Sequence, residues 1–414
     1  MSELKSSQIM VHVDINSYFA TLLQQETPAL RGKPVAVVKD IGRTCVIAAS
    51  KEAKQRGIKA PTLLADAQLR VPDLICIAAE FDMYWSATKQ LKALFESLAP
   101  DVEIFSLDES FLHFTPLRNL YSSPQEFGIH VQQRIKEVLG EWVTCNVGIA
   151  ENRFLAKMSS EVSPKGSVTT VTEETKAALL ASTTFDGVCG IGFRLGAKLE
   201  AMGVTVPYQI NFLPDDVLES RFGPYWSVEL RKMGRGEEPA LLERSEIELP
   251  HMKSVGRSIT GWKLCKNEEV LKSTLYNLTS EVMYKVRKME LAGRVVSIYL
   301  SDKEHRWGSH ITLQHYVRHT SEMFDIVWNT LYARWSKNFS VIKLAVSLSH
   351  LKPWDELQDC WFPDWWQQEK VSGAVDKITE KYGLFTVTSG LLLKTNIIRP
   401  EVTGFLGDKK FQYG

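Results

Sequence analysis

Two short runs near the start of the chain, IMVHVDI (9–15) and KPVAVVK (33–39), are rich in β-branched residues and have the length of buried strands. Between them, Ser17 to Thr27 predicts a short helix. Residues 50–72 predict two more short helices, broken near Gly57 and Pro61. Over 82–100 apolar residues recur at helical spacing and stop at Pro100. FSLDESFL (105–112) reads as a strand, followed by a polar turn near Ser122 to Pro124 and a helix over 125–140. VTCNVGIA reads as a further strand, and NRFLAKMSSEVSP as a helix ending at Pro164 and Gly166. The first 170 or so residues thus alternate strands and helices around a small sheet.

The pattern then changes. GVCGIGFRLGAKLEAMGV (187–204) predicts a short helix, a Gly-Ile-Gly turn and a second helix, and the charged stretch 235–250 reads as a linker. From 251 the order is strand, long helix (267–290), two strands (294–300 and 309–317), helix (321–335) and strand (341–349), a ferredoxin-like β-α-β-β-α-β unit. Residues 354–414 form a tail with one helix, 369–382. A chain of 414 residues exceeds one ordinary core, so an α+β, multidomain fold of two to four domains is expected.

Composition narrows the class. No apolar run approaches the ~18 residues of a membrane helix, so no membrane association is expected. MSELKSSQIM lacks the pattern of a signal peptide. The six cysteines stand singly without CxxC spacing, which suits a reducing, cytoplasmic setting better than disulfides or zinc. Net charge is zero, but unevenly spread. Residues 251–352 hold 16 Lys+Arg against 8 Asp+Glu, leaving 33 against 41 elsewhere, and six of the nine histidines. One module is therefore suited to a polyanion, unless the lysines are merely a solvated cluster.

Asp108 and Glu109 sit side by side in an otherwise strand-like run, and Asp14 interrupts another. Alternation along a strand puts Ile104, Ser106 and Asp108 on one side and Phe105, Leu107, Glu109 and Phe111 on the other, unless the strand turns at Asp108. A buried carboxylate is costly unless paired or protonated. Three from two strands repel one another unless a cation lies among them, and hard oxygen ligands select Mg²⁺ or Mn²⁺. A pair of such ions is the device that transfers nucleotides by in-line displacement. The plainer alternative is that the acids lie at solvated strand ends.

VHVDINSYFA, GKPVAVV, SLDESFL and VGIAENRFLAKMSSEVSPKG, in that order, resemble successive motifs of the Y-family (translesion) DNA polymerases, in particular the bacterial DinB/UmuC-like members. GVCGIGFRLGAKLEAMGV is similar to that family's thumb hairpin, and SVGRSIT to the start of its little finger. The likeness spans roughly 10–350, with a fainter echo in AVDKITEKYG. It implies a right-hand polymerase: palm (1–30 and 76–172), fingers (31–75), helical thumb (173–236), linker (237–250), little finger (251–353) and C-terminal tail (354–414). It implies template-directed DNA synthesis from dNTPs on primer-template DNA, by a monomer using two Mg²⁺ ions, with Mn²⁺ as a substitute. Asp14, Asp108 and Glu109 match the catalytic metal ligands, with the Ile15 carbonyl as a further ligand. Phe19 matches the aromatic gate against a ribose 2′-OH, with Tyr18 beside it. Gly190 and Gly192 would offer amides to a DNA phosphate. Lys198, Lys253, Arg257 and Arg294 are the other DNA-contact candidates.

The chain also departs from the pattern. Where members carry NYEAR-like residues for the triphosphate, SKEAK puts Lys51 and Lys54. The KPNG-like Lys becomes Ser163, with charge moved to Lys165; positive charge is kept overall, but the bidentate guanidinium geometry of the Arg that Lys54 replaces is lost. Asn16 stands for the usual Asp, and Ala60-Pro61 for a small SG pair. In the tail, QDCWF is similar to the peptide by which bacterial relatives dock on the sliding clamp, with Gln358, Trp361 and Phe362 as anchors; packing of Trp365 and Trp366 is the competing explanation. A non-catalytic, polymerase-shaped DNA-binding accessory protein is the main rival. A nucleotide cyclase leaves the thumb-like and little-finger-like segments unexplained.

Overall fold

The computed structural model describes residues 8–39, 45–242, 253–357 and 363–393. These fall into two compact units, one up to residue 242 and one from 253.

The first unit begins with β1 (Met10–Ile15), α1 (Tyr18–Glu26), β2 (Val35–Val38), β3 (Cys45–Ala49), α2 (Lys51–Gln55), β4 (Thr62–Leu63), α3 (Leu64–Arg70) and β5 (Ile75–Ala78). It continues with α4 (Phe81–Leu98), β6 (Val102–Ile104), β7 (Glu109–His113), α5 (Pro124–Leu139), β8 (Cys145–Ala150), α6 (Arg153–Val162) and β9 (Val168–Thr170). The main sheet runs β6-β7-β1-β8-β9, antiparallel except for the β8–β9 pair. β1 is central, which is why MVHVDI is buried along almost its whole length. One face packs Val11, Val13, Ile15, Leu112, Val147 and Ile149 against α4 and α5 side chains such as Leu91, Phe95, Phe127 and Ile135. Fully burying a side chain such as Phe95 or Phe127 contributes about 1.5–3 kcal/mol. Across the other face lies α6, with Phe154, Leu155 and Met158 against Met10, Phe111 and Ala150. α6 starts where the Asn152 side chain accepts a hydrogen bond from the Leu155 amide. It approaches closely only because residue 148 is glycine: a Cβ there would overlap the Ala156 carbonyl oxygen and the Ser159 hydroxyl, and lie 2.8 Å from the Ser160 amide nitrogen.

A second sheet, β4-β3-β2-β5, with α2 and α3, closes over Ala36, Val46, Ile58, Val71 and Leu74. β5 pairs in parallel with β2, so the boundary expected at 75–76 cuts through a strand and the small sheet extends to Ala78. β7 likewise begins only at Glu109: residues 105–108 form a turn, correcting the strand expected over 105–112. The unit ends in α7 (Glu173–Ser182), α8 (Phe193–Glu200) and α9 (Asp215–Arg235), which gather Leu180, Leu199, Leu218, Leu230 and Met233. The helix expected before the Gly-Ile-Gly turn is a single 3-10 turn, Phe185–Gly187.

The second unit contains β10 (Ser254–Cys265), α10 (Glu268–Lys288), β11 (Leu291–Ser301), β12 (Arg306–Val317), α11 (Thr320–Asp325), β13 (Val341–Pro353) and α12 (Pro363–Tyr382). This is the expected β-α-β-β-α-β order. In space the sheet is β10-β13-β11-β12, antiparallel throughout, so the last strand lies inside it beside β11. α10 buries Leu271, Leu275, Leu278, Val282 and Val286 on this sheet. α11 runs on into a π-helical segment, Ile326–Leu331. α12 is pinned to α10 by Asp376, whose two oxygens accept from Arg287 at 2.6 and 2.8 Å. Among the described residues no helix is long and apolar enough to cross a membrane.

Candidate active site

Strand pairing alone aligns the key residues. Asp14 on β1 stands opposite Glu109 on one side and Asn146 of β8 on the other. Directly opposed residues of antiparallel strands share a face, so Glu109, Asp14 and Asn146 form a row on the α6 side. Asp108 joins from the turn before β7, where its carbonyl accepts from the Ile15 amide at 3.0 Å. The strand pattern and the turn thus bring all three acids to the ends of two neighbouring strands.

These carboxyls are largely buried, and burial raises the pKa of each. Asp14 is pushed up to about 7, by burial first and then by Asp108 and Glu109, with Lys165 opposing. Asp108 is raised by burial, against the hydrogen bond its Oδ1 accepts from Ser106 at 2.7 Å. Glu109 is raised by burial, against Lys157, whose Nζ donates to its Oε1 at 2.6 Å. Lys157 also donates to Glu161 at 2.8 Å; burial disfavours its charge, but the two glutamates outweigh that and its pKa rises. The Lys165 ammonium lies 4.0 Å from Asp14.

The donor set suits a hard divalent cation: carboxylate oxygens, little water, and mutual repulsion that a cation would relieve. Glu109 and Asp108 are turned to Lys157 and Ser106, and among the described residues no three Asp, Glu, His or Cys side chains converge as a closed ligand set. An ion held here would compete with Lys157 for Glu109 and with Ser106 for Asp108.

Of the other expected residues, Lys54 lies close enough to this row for Asp14 and Asp108 to act on its charge. Lys54 reaches from α2 to donate to Ser17 at 2.8 Å, and its pKa is lowered by burial and by Lys165. Ser17 turns the chain after β1 with φ 52°. Phe19 is buried and stacked on Tyr84, centroids 4.2 Å apart. Tyr18 is buried beside it, its hydroxyl donating to the Tyr84 carbonyl and lying 2.8 Å from Thr88. Lys51, the first residue of α2, is exposed.

The nucleic-acid candidates are scattered. Gly190 has φ 94° and packs on Leu241, whereas Gly192, at the start of α8, has open space around it. Lys198 and Lys253 are exposed. Arg257 is not a surface contact: it is buried, and its Nε donates to Glu281 of α10 at 2.8 Å. Arg294 is half-buried beside His350 at 3.2 Å and the ring of Tyr316. Gln358, Trp361 and Phe362 lie outside the described residues.

Two site residues escaped sequence reasoning. Lys157 stands in the α6 motif four residues before Glu161, a helical pair spacing that was a readable signal. Asn146, in the β8 run, gave no signal.

The chain matches the model of the impB/mucB/samB family over residues 13–161 and that of the family's C-terminal domain over 252–359. A DNA polymerase IV of Moorella thermoacetica is 29% identical over 377 residues, 89% of this chain and 92% of that protein. A DNA polymerase IV of Alkalilimnicola ehrlichii is 30% identical over 296 residues, 71% of this chain and 81% of that one. Among solved structures, a Y-family DNA polymerase chimera superposes with TM-score 0.69 at 22% identity, covering 83% of this chain and 98% of its own, which establishes a shared fold. With the two family models matched in order and relatives aligned over most of the chain, this protein belongs to the impB/mucB/samB family, the DinB-like branch of the Y-family DNA polymerases.

Proposed function

We propose that this chain carries out template-directed DNA synthesis, transferring nucleotidyl groups from dNTPs to a primer 3′-OH, in the low-fidelity mode that copies past damaged bases. The observation that carries it is the convergence of Asp14, Asp108 and Glu109 at the ends of β1 and β7, in a member of this polymerase family. Two Mg²⁺ ions, or Mn²⁺, held by these side chains and the Ile15 carbonyl, would neutralise the triphosphate and lower the pKa of the attacking hydroxyl.

The chain's own residues divide the remaining work. Lys165, Lys54 and Lys51 attract the triphosphate as point charges on flexible stems. Phe19, backed by Tyr84, limits the room at the sugar and so excludes a ribose. Lys157 balances Glu109 and Glu161. Gly192, Lys198, Lys253 and Arg294 are read as backbone contacts, giving salt-dependent affinity without sequence preference. Palm, fingers, thumb and little finger follow the division drawn from the sequence, with the fingers extended to Ala78. The protein is read as a cytoplasmic monomer, and Gln358, Trp361 and Phe362 as a clamp-docking peptide. Replacing those three by Ala should remove clamp-stimulated synthesis and spare clamp-free extension; loss of both would show a structural segment.

Retention of all three acids weighs against a non-catalytic accessory protein. Primer extension with each dNTP, on undamaged and abasic templates, is the decisive experiment. Asp108→Ala should abolish nucleotide addition while leaving DNA binding largely intact, and equal extension by wild type and variant would overturn the assignment.

A further inference from the structure

We infer that Asn146 is a positioning residue for nucleotide binding: its side-chain amide clamps the Ser163–Gly166 loop and so holds Lys165 over Asp14. The inference rests on the reading of Lys165 as a triphosphate contact.

Asn146 is fully buried on β8, directly opposite Asp14. Its amide makes the four hydrogen bonds such a group can make. Nδ2 donates to the Ser160 carbonyl at 2.6 Å and the Ser163 carbonyl at 3.2 Å, both at the end of α6. Oδ1 accepts from the Gly166 amide at 2.7 Å and from Asn16 Nδ2 at 3.3 Å. The loop bearing Lys165 is therefore gripped on either side, at residues 163 and 166. A backbone bond from the Ser167 amide to the Pro164 carbonyl, 3.2 Å, closes the turn between them. Lys165 itself is half-exposed, and its ammonium is 4.0 Å from Asp14.

The clamp also accounts for Asn16. A carboxylate at position 16 would present only acceptors to Asn146 Oδ1, so the fourth bond requires a donor there. Asn16 supplies it and also donates to the Thr144 hydroxyl at 3.2 Å. The two departures near the site, Asn16 for Asp and Ser163-Pro164-Lys165 for the KPNG-like sequence, thus meet on one buried side chain. A point-charge lysine on a four-carbon stem gains most from such anchoring, because it lacks a planar fork to fix its own geometry.

The test is a double-mutant cycle. Steady-state kcat and KM for a dNTP would be measured on one primer-template for wild type, Lys165→Ala, Asn146→Ala and the double variant, together with thermal midpoints. Lys165→Ala should raise KM tenfold or more. Asn146→Ala should raise KM severalfold with kcat changed less than about twofold. In the Lys165→Ala background it should add nothing to KM, although it still lowers the midpoint. If Asn146→Ala fails to fold, Asn146→Ser and Asn16→Asp take its place with the same expectation. A KM unchanged by these substitutions while the midpoint falls makes Asn146 purely structural and overturns the inference. An equal further rise in KM in the Lys165→Ala background also overturns it, since the effect would then bypass Lys165. No response of KM to Lys165→Ala would sink the triphosphate reading and this inference together.

Discussion

Replacing Arg257 by Ala separates a structural ion pair from a DNA contact. Its guanidinium and the Glu281 carboxylate have side-chain exposures of 5% and 3% and meet at 2.8 Å. Arg257 also donates to the Ser258 carbonyl at 2.9 Å, and Glu281 accepts from Asn277 at 3.3 Å. Removing one partner of so enclosed a pair leaves an uncompensated charge, at a cost of about 3–5 kcal/mol. In a unit of ~150 residues each kcal/mol moves the thermal midpoint by roughly 2–4 °C. The second unit should then lose ~6 °C or more, visible as an earlier transition in scanning calorimetry of the full chain. Duplex binding, measured below that transition, should keep its dependence of log K on log salt. A phosphate contact would behave in the opposite way: the midpoint would hardly move and the slope would fall by about 0.9. That second outcome would refute the burial argument and restore Arg257 to the DNA surface.

Phe19→Ala, by opening space beside Tyr84, should raise the rNTP/dNTP ratio of kcat/KM; an unmoved ratio would reduce Phe19 to packing. The acid row predicts a pH effect in chelator-treated protein. Asp14 holds its proton to about pH 7 when folded but only to its ordinary 3.8 when unfolded. Between those values the folded chain binds the extra proton, so stability falls as pH rises. The urea midpoint of wild type relative to Asp14→Asn should therefore decline from pH 4.5 to 7.5, and a flat or rising difference would contradict the repulsion described for this site.

The long elements were legible because their patterns were long. β1, α5, α6 and α10 announced themselves through their runs and spacing of apolar residues. The strands β3, β5, β6 and β9, of three to five residues, carry too few side chains to show a period. Turn and strand also compete at 105–109, where backbone bonds such as those from the Ile15 amide to the Asp108 carbonyl and from the Phe105 amide to the Glu109 carbonyl reveal where pairing starts. The three acids could be found because charge in an apolar run is anomalous by itself. Arg257 was misplaced for the converse reason: a charge in an alternating strand reads as solvent-facing, and its partner Glu281 lies 24 residues away on a helix whose packing no local pattern reveals. Asn146 was invisible because a single polar residue in a strand has no signature until the loop it holds is folded over it.

The contact of α6 with Gly148 has a consequence for tolerance to change. Gly148 and Gly166 are the same residue type, eighteen positions apart, yet their freedom differs. Gly166 faces open space with φ 84°, so only backbone preference restricts it, and asparagine is the natural replacement. At Gly148 the obstacle is the backbone of α6, and even a methyl group would lever the helix off the sheet, carrying Lys157 away from Glu109 and Ser160 away from His12. The charge balance of the acid row is thus hostage to one missing carbon in the sheet rather than to any charged group, and a random mutational survey would record its loss at a residue with no polar side chain at all.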